Sequence, residues 1–366
     1  MKILFFLPAL NSGGAERVVA TIANTLSSNG DQVEILTLNT DVSFYSIDEN
    51  VTIVGMNETI SKSGLKRKLT IPFIEIARRN KFISEVKSYK PDIVISFLYT
   101  TNVLSLLAKN KISSPLIISE RSDPTHYGSM QQYICKKLYP KSDRIVCQGN
   151  VVANYYKKQN GRCTVIPNQL NEKSVGTYQK TKSNKIVTVG RLIAAKNHAL
   201  LIDAFYEVKD EFPDSILEIY GEGELRQTLQ EHINSLGLSN RVFLPGSKQN
   251  IVAELNDAAC FVLSSDFEGF PNVLIEAMAT GIPVISTDFP SGIARELITD
   301  GDNGFLIETG NKNQLIEALK KILSDKELQI TFAEKNLDVL EKYSELNIAH
   351  LWKSLCEDVI KEKSRG

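Results

Sequence analysis

The sequence predicts an α/β protein of two tandem domains, each a parallel sheet covered by helices. Three observations lead there. Short apolar runs of strand length alternate with helical stripes from the first residues onward, the pattern of repeated βαβ units. The alternation stops over 167–184, a polar stretch with no stripe, and then restarts. At 366 residues the chain is longer than one hydrophobic core ordinarily serves. The expected division is 1–167, 168–345 and a closing helix, 346–366, that returns to the first domain. A cleft between the domains is the expected ligand site, because open parallel sheets bind ligands beyond the C-terminal ends of their strands.

In order along the chain, residues 2–7 form a first strand and Gly13-Gly14 turns the backbone. Val18, Val19, Ile22, Ala23 and Leu26 then make a helical stripe that Asn29-Gly30 ends. Further strands are expected at 32–38, 93–98, 115–119, 144–147 and 163–166. These runs are apolar without strict alternation, as strands buried on both faces are. After the break, 185–189 is a strand followed by Gly190-Arg191, and Leu200, Leu201, Ala204 and Phe205 mark the next helix. Strands at 215–220, 242–244, 260–263 and 283–286 follow, with Gly221-Glu222-Gly223 after the first of them. A helix is expected from about Pro271, because proline suits a first helical turn, to the stop at Gly281 and Pro283.

Composition narrows the class. The net charge of −1 argues against a general nucleic-acid binder. Five scattered cysteines with no CxxC pair read as free thiols. The apolar start breaks at Pro8 and leads into a strand-to-helix turn, so it reads as a strand and not a signal peptide. No uncharged run reaches the length of a membrane span. The four histidines lack zinc spacing, and Asp300-Gly301-Asp302 reads as a surface turn; no metal and no cofactor is expected.

The most informative stretch is 268–276, EGFPNVLIE. Glu268 lies in a glycine-containing loop after a strand, and Glu276 lies on the helix that follows, sharing a face with Asn272 and Thr280. A strand, a loop and a helix N-terminus make an anion site, and carboxylates on its rim bind hydroxyls. Both needs are met by a sugar nucleotide. Arg191 and Lys196 follow another strand end, where two cations neutralise a diphosphate leaving group. Gly13-Gly14 lets a ligand approach backbone N–H groups, and the missing GxGxxG counts against a dinucleotide reductase.

These segments, VGRLIAAKNHALLIDAF, IYGEGEL, LPGS and EGFPNVLIEAMATGIPVISTD, with NSGGAERVV near the N-terminus, resemble glycosyltransferase family four, the retaining transferases of the GT-B fold with two Rossmann-like domains. The match runs in order along nearly the whole chain, and its style, including ISFLYTTN, is similar to bacterial transferases that extend polyprenyl-diphosphate-linked glycans, N-acetylgalactosamine transferases among them. The resemblance implies a UDP-sugar donor such as UDP-GalNAc and a lipid-linked acceptor. It assigns Arg191 and Lys196 to the diphosphate, Glu276 to the ribose, and Glu268 with Gly269, Phe270, Pro271 and Asn272 to the transferred sugar. It places Gly14 beside the diphosphate, Gly190 and Gly221 among the donor-binding residues, and Leu244, Pro245 and Gly246 at the base. Gly13 goes to the acceptor side. Many relatives carry a histidine after the strand at 116–119; here Arg121 stands at that position with His126 nearby, and both are read as acceptor-binding. A protein nucleophile is not required, since the departing phosphate takes the acceptor proton. Two other readings are a nucleotide-sugar epimerase of the same fold and a catalytically silent sugar-nucleotide or membrane-binding protein. The silent reading predicts loss of a donor-site charge, whereas Arg191, Lys196, Glu268 and Glu276 are all present.

Residues 62–90 carry nine Lys or Arg against Glu75 and Glu85, with apolar residues between. This reads as a basic amphipathic helix on an anionic membrane surface, through Lys66, Arg67, Lys68, Arg78, Arg79 and Lys81. The expected location is cytoplasmic, peripheral on the inner face of the membrane.

Overall fold

A computed structural model describes residues 1–56, 66–171, 175–176, 184–248 and 251–365; the side chains of 66–73 and 252–253 lie outside that description. The chain divides into two compact units, Met1–Gln169 with Glu345–Gly366, and Leu170–Ser344.

The first unit runs β1 (Lys2–Leu7), α1 (Gly14–Ser28), β2 (Gln32–Thr37), β3 (Thr52–Gly55), α2 (Lys66–Tyr89), β4 (Ile93–Phe97), α3 (Tyr99–Ala108), β5 (Leu116–Ser119), α4 (Ser129–Leu138), β6 (Arg144–Cys147), α5 (Asn150–Lys157) and β7 (Cys163–Val165). Its strands form one sheet in the order β3-β2-β1-β4-β5-β6-β7, and every pairing is parallel. The central strand shows why its sequence is unbroken. Ile3, Phe5 and Leu7 point into one core and Leu4 and Phe6 into the other. A strand buried on both faces has no solvent side for polar residues.

The second unit runs β8 (Lys185–Val189), α6 (His198–Val208), β9 (Ile216–Tyr220), α7 (Arg226–Ser235), β10 (Val242–Gly246), α8 (Val252–Asn256), β11 (Cys260–Leu263), α9 (Asn272–Ala279), β12 (Val284–Thr287), α10 (Ile293–Leu297), β13 (Phe305–Ile307), α11 (Lys312–Ser324), α12 (Lys326–Asn336) and α13 (Val339–Lys342). Its sheet is parallel with the order β10-β9-β8-β11-β12-β13. Ile186, Cys260 and Val262 face one core, and Val187, Phe261 and Leu263 the other. In each sheet the chain starts at the centre, winds outward, and returns to wind the other way. The reversal falls between β1 and β4 and between β8 and β11, where loops leave adjacent strands in opposite directions and open a crevice.

The closing helix α14 (Glu345–Arg365) belongs to the first unit. Ile348, Trp352, Leu355, Cys356 and Val359 share the core of β1 and α1. Trp352 is fully buried, 5.5 Å from the Phe97 ring. Truncating a buried tryptophan to alanine costs about 3–5 kcal/mol. Lys353 fastens the helix to Asp31 at 2.9 Å.

Candidate active site

The loop after β8 is built to be rigid. Gly190 N–H donates to Tyr220 O at 2.9 Å and Leu192 N–H to Glu222 O at 2.9 Å, which ties the turn to the end of β9. The two loops touch so closely that a Cβ on Gly221 would stand 1.9 Å from the Gly190 oxygen. Gly221 also has φ +144°, a backbone that side chains disfavour. Gly190 leaves room for the Lys196 stem, which passes 3.4 Å from where its Cβ would be. Asn197 closes the turn in the left-handed region (φ 44°) and caps α6 by accepting from Leu200 N–H.

That turn is pinned to the loop after β11, the neighbouring strand. Asp266 N–H donates to Ala195 O at 2.9 Å, Asn197 Nδ2 to Asp266 Oδ1 at 2.9 Å, and Ser264 Oγ to Lys196 O at 3.1 Å. Lys196 Nζ pairs with Glu268 Oε1, which also accepts from Ser265 Oγ at 2.7 Å. Both side chains are mostly buried, at 16% and 11% exposure. The two loops and the start of α9 line a cavity of about 410 Å³. Its walls include Gly190, the exposed Arg191, Lys196, Glu268, Gly269, Phe270, Pro271 and Asn272. Pro271 is the N-cap of α9 and not its first helical residue, and no side chain caps the helix N-terminus. The positive end of the α9 dipole therefore faces the cavity with two cations.

Eight of the nominated residues thus meet at the β8/β11 crevice. Glu276 lies one turn further along α9, 9% exposed and off the cavity wall. Gly221, Leu244, Pro245 and Gly246 do not line it either. Gly221 N–H donates to Gly246 O at 3.0 Å, so these residues back the β8 loop. Asp300 accepts from Leu306 N–H at 3.0 Å in a turn, and Asp302 pairs with Lys335. The sequence reading did not single out His198, Ser265 or Asp266; His198 lies within the VGRLIAAKNHALLIDAF segment, and what each of the three does is a contact that only the folded loops show.

In the first unit, Gly13 is the N-cap of α1, and a Cβ there would meet the Glu16 carboxylate at 2.1 Å. The glycine therefore accommodates the helix's own acidic residue, while Gly14 is exposed. Arg121 departs from the expectation of an open cation. It is 9% exposed, with its guanidinium 4.8 Å from the Phe97 ring and 5.8 Å from that of Trp352. Its Nη1 donates to Asn168 Oδ1 at 2.7 Å, and burial pushes its pKa down to about 9. α14 brings the tryptophan that covers it, which local sequence does not show. His126 is exposed on the turn after β5. Next to Arg121, Glu120 is a buried hub that sequence reasoning missed: its carboxylate accepts from Arg121 and Ser122 N–H and from the hydroxyls of Tyr127, Tyr139 and Tyr156 at 2.8–3.1 Å. Burial raises its pKa against those bonds.

The basic segment needs correction. Arg78 is 5% exposed and pairs with Glu75 at 2.9 Å. It shares a face with Phe82 and Val86, four and eight residues on, and that face packs on the sheet. Lys81 Nζ donates to Met56 O at 2.6 Å, and Arg79 is half-buried. The side chains of Lys66, Arg67 and Lys68 lie outside the described residues. Counting charges along the segment did not separate its inward face from its outward one.

Two parallel-sheet α/β domains with a charged cavity at a strand-order reversal fit more than one class of enzyme, and the comparisons with known proteins decide between them. The family Glycosyltransferase Family 4 matches residues 12–173 and Glycosyl transferases group 1 matches residues 171–338. A Campylobacter jejuni N-acetylgalactosamine-N,N'-diacetylbacillosaminyl-diphospho-undecaprenol 4-alpha-N-acetylgalactosaminyltransferase is 31% identical over 95% of this chain and 97% of its own. A second C. jejuni enzyme, which adds alpha-1,4-N-acetyl-D-galactosamine to a GalNAc-containing diNAcBac-PP-undecaprenol, is 29% identical over 98% of this chain and 99% of its own. Among solved structures, sucrose-phosphate synthase from Thermosynechococcus elongatus superposes with a TM-score of 0.83 at 15% identity, covering 99% of this chain and 100% of that one. Anabaena HepE in complex with UDP gives 0.80 at 18%, over 98% and 100%. The chain belongs to glycosyltransferase family 4 and has the GT-B fold. It is a transferase, which sets aside the epimerase and the silent readings.

Proposed function

We propose that the protein transfers N-acetylgalactosamine from UDP-GalNAc to a polyprenyl-diphosphate-linked glycan, with retention at the anomeric carbon. The observation that carries this reading is the cavity between the β8 and β11 loops, where Arg191, Lys196, Glu268 and the α9 N-terminus converge. The names of the two C. jejuni relatives support the sugar and the acceptor class, and the UDP complex supports the nucleotide.

In this reading Arg191 and Lys196 take the diphosphate oxygens. Lys196 has three N–H donors; the bond to Glu268 uses one and leaves two for phosphate. Glu268, held by Lys196 and Ser265, keeps acceptor capacity for a sugar hydroxyl. Charge that builds on the departing UDP meets two cations and a helix dipole already in place, so no metal is required. The acceptor hydroxyl attacks as the bond to UDP breaks, and its proton passes to the departing phosphate oxygen.

We also propose peripheral attachment to the cytoplasmic face of an anionic membrane. Arg78 and Lys81 are engaged elsewhere, and among the described residues the surface that supports attachment is on α4. Met130 and Tyr133 are exposed at 71% and 59%, beside exposed Lys136 and Lys137, and no acidic residue occurs from 124 to 142.

The test is incubation with UDP- and GDP-sugars, each with polyprenyl-diphosphate glycans, with products read by mass and EDTA present in parallel. UDP-GalNAc and a lipid-linked acceptor should give a product one N-acetylhexosamine heavier, with or without EDTA. Arg191→Ala and Lys196→Ala should each lose about 10²-fold or more in kcat. Another donor preferred, activity lost to EDTA and restored by a divalent cation, or full turnover in either variant would each refute the corresponding part.

A further inference from the structure

His198 opens α6 and is buried, 4% exposed. Its Nε2 lies 3.2 Å from the Arg191 carbonyl oxygen. A carbonyl only accepts, so Nε2 carries the proton and Nδ1 is the bare nitrogen. Burial pushes the ring's pKa down to about 4, against the Arg191 backbone and, more weakly, the Gly190 backbone and with Lys196 adding to it, which keeps the imidazole neutral at neutral pH. Nδ1 is buried with no hydrogen-bond partner among the described residues. An orphaned acceptor is unfavourable, and an apolar ring would fill the same space without one. What the imidazole supplies and an apolar ring would not is an N–H on the backbone of the Gly190-Arg191 turn, 3.2 Å from the Arg191 carbonyl oxygen.

That carbonyl belongs to the residue whose side chain reaches the cavity. Its flank toward β9 is fixed by the bonds from Gly190 N–H to Tyr220 O and Leu192 N–H to Glu222 O. Ile193 N–H, within the same turn, also reaches the Arg191 carbonyl at 2.9 Å. The contact that ties it to a different element is His198. We propose that His198 is a positioning residue of the donor site: its N–H fixes the Arg191 backbone from α6 and so aims the guanidinium at the donor diphosphate. The inference rests on the diphosphate role proposed above for Arg191.

Three variants separate the N–H from the bulk of the ring. His198→Phe keeps an aromatic ring and removes the donor. His198→Gln places an amide N–H close to the position of Nε2. His198→Asn carries its amide near Nδ1, too short to reach. UDP affinity by calorimetry and donor kinetics are measured for each, and for Arg191→Ala alone and combined with His198→Phe. The Phe and Asn variants should weaken UDP binding and lower donor kcat/KM, the latter on the order of 10²-fold, as a displaced charge does. The Gln variant should recover most of both. Once the guanidinium is absent, His198→Phe should add nothing further, since it acts through it. Equal losses in Gln and Phe, or losses that add to those of Arg191→Ala, would overturn the inference while leaving the diphosphate reading intact. Wild-type UDP affinity and turnover in Arg191→Ala would overturn both. Should the Phe variant fail to fold, the comparison of Gln with Asn still decides.

Discussion

Replacing Gly221 with alanine tests whether the contact between the β8 and β9 loops sets the donor site. The added Cβ would stand 1.9 Å from the Gly190 oxygen, about 1.5 Å inside ordinary contact, which begins near 3.4 Å. Neither side yields easily. Gly190 N–H is bonded to Tyr220 O and Gly221 N–H to Gly246 O. The displacement therefore passes along the chain to Arg191. A catalytic group moved by about 1 Å loses on the order of 10²-fold in rate. The φ of +144° adds backbone strain of about 1–3 kcal/mol, which in a domain this size lowers Tm by roughly 2–12 °C. Gly237→Ala is the control, because Gly237 also has a positive φ (+68°) but nothing within 4 Å of its Cβ position. It reports strain without collision. The assay is donor kcat/KM beside thermal unfolding for both variants. Gly221→Ala should lose about 10²-fold in kcat/KM and Gly237→Ala almost none. Matching kinetics in the two variants would refute the reasoning, whatever their Tm values.

Two further outcomes follow from particular side chains. Met130→Asp combined with Tyr133→Asp should release the protein from anionic liposomes in flotation, while Arg78→Gln should not; binding unchanged by the α4 substitutions would remove that surface from the membrane reading. Glu34 is buried on β2, and burial, then the charge of Glu85, raises its pKa from 4.5 to about 7. The folded chain then holds a proton that the unfolded chain has released, so the stability it contributes is present below about pH 4.5 and is lost as pH rises through about 7. Glu34→Gln should therefore gain a few degrees in Tm over the wild type above pH 7 and lose that advantage near pH 5; parallel Tm curves across this range would count against it.

The sequence by itself determined the architecture and singled out the charged residues that meet at the β8/β11 crevice. Strands such as KILFFL are apolar throughout because both faces are buried, and that property is written in consecutive residues. The short edge strands β3 and β13 escaped notice because three or four residues, partly exposed, carry little pattern. Arg191, Lys196 and Glu268 were legible because loops that follow strands stay local in sequence even when their partners do not. The tertiary structure decided which charges are buried and which stay open. It buried Arg121 beneath Trp352, 231 positions away in the chain, and it turned Arg78 inward with Phe82 and Val86. It left Glu276 off the cavity wall and made Thr280, expected on a polar face, 1% exposed, because α9 is enclosed on nearly every side. It also joined His198 to Arg191 and Asp266 to Asn197. Hydrophobic periodicity records how much of a residue is buried and on which face of its own element. Which distant element covers that face, and which backbone group a side chain finds there, is fixed only when the elements pack.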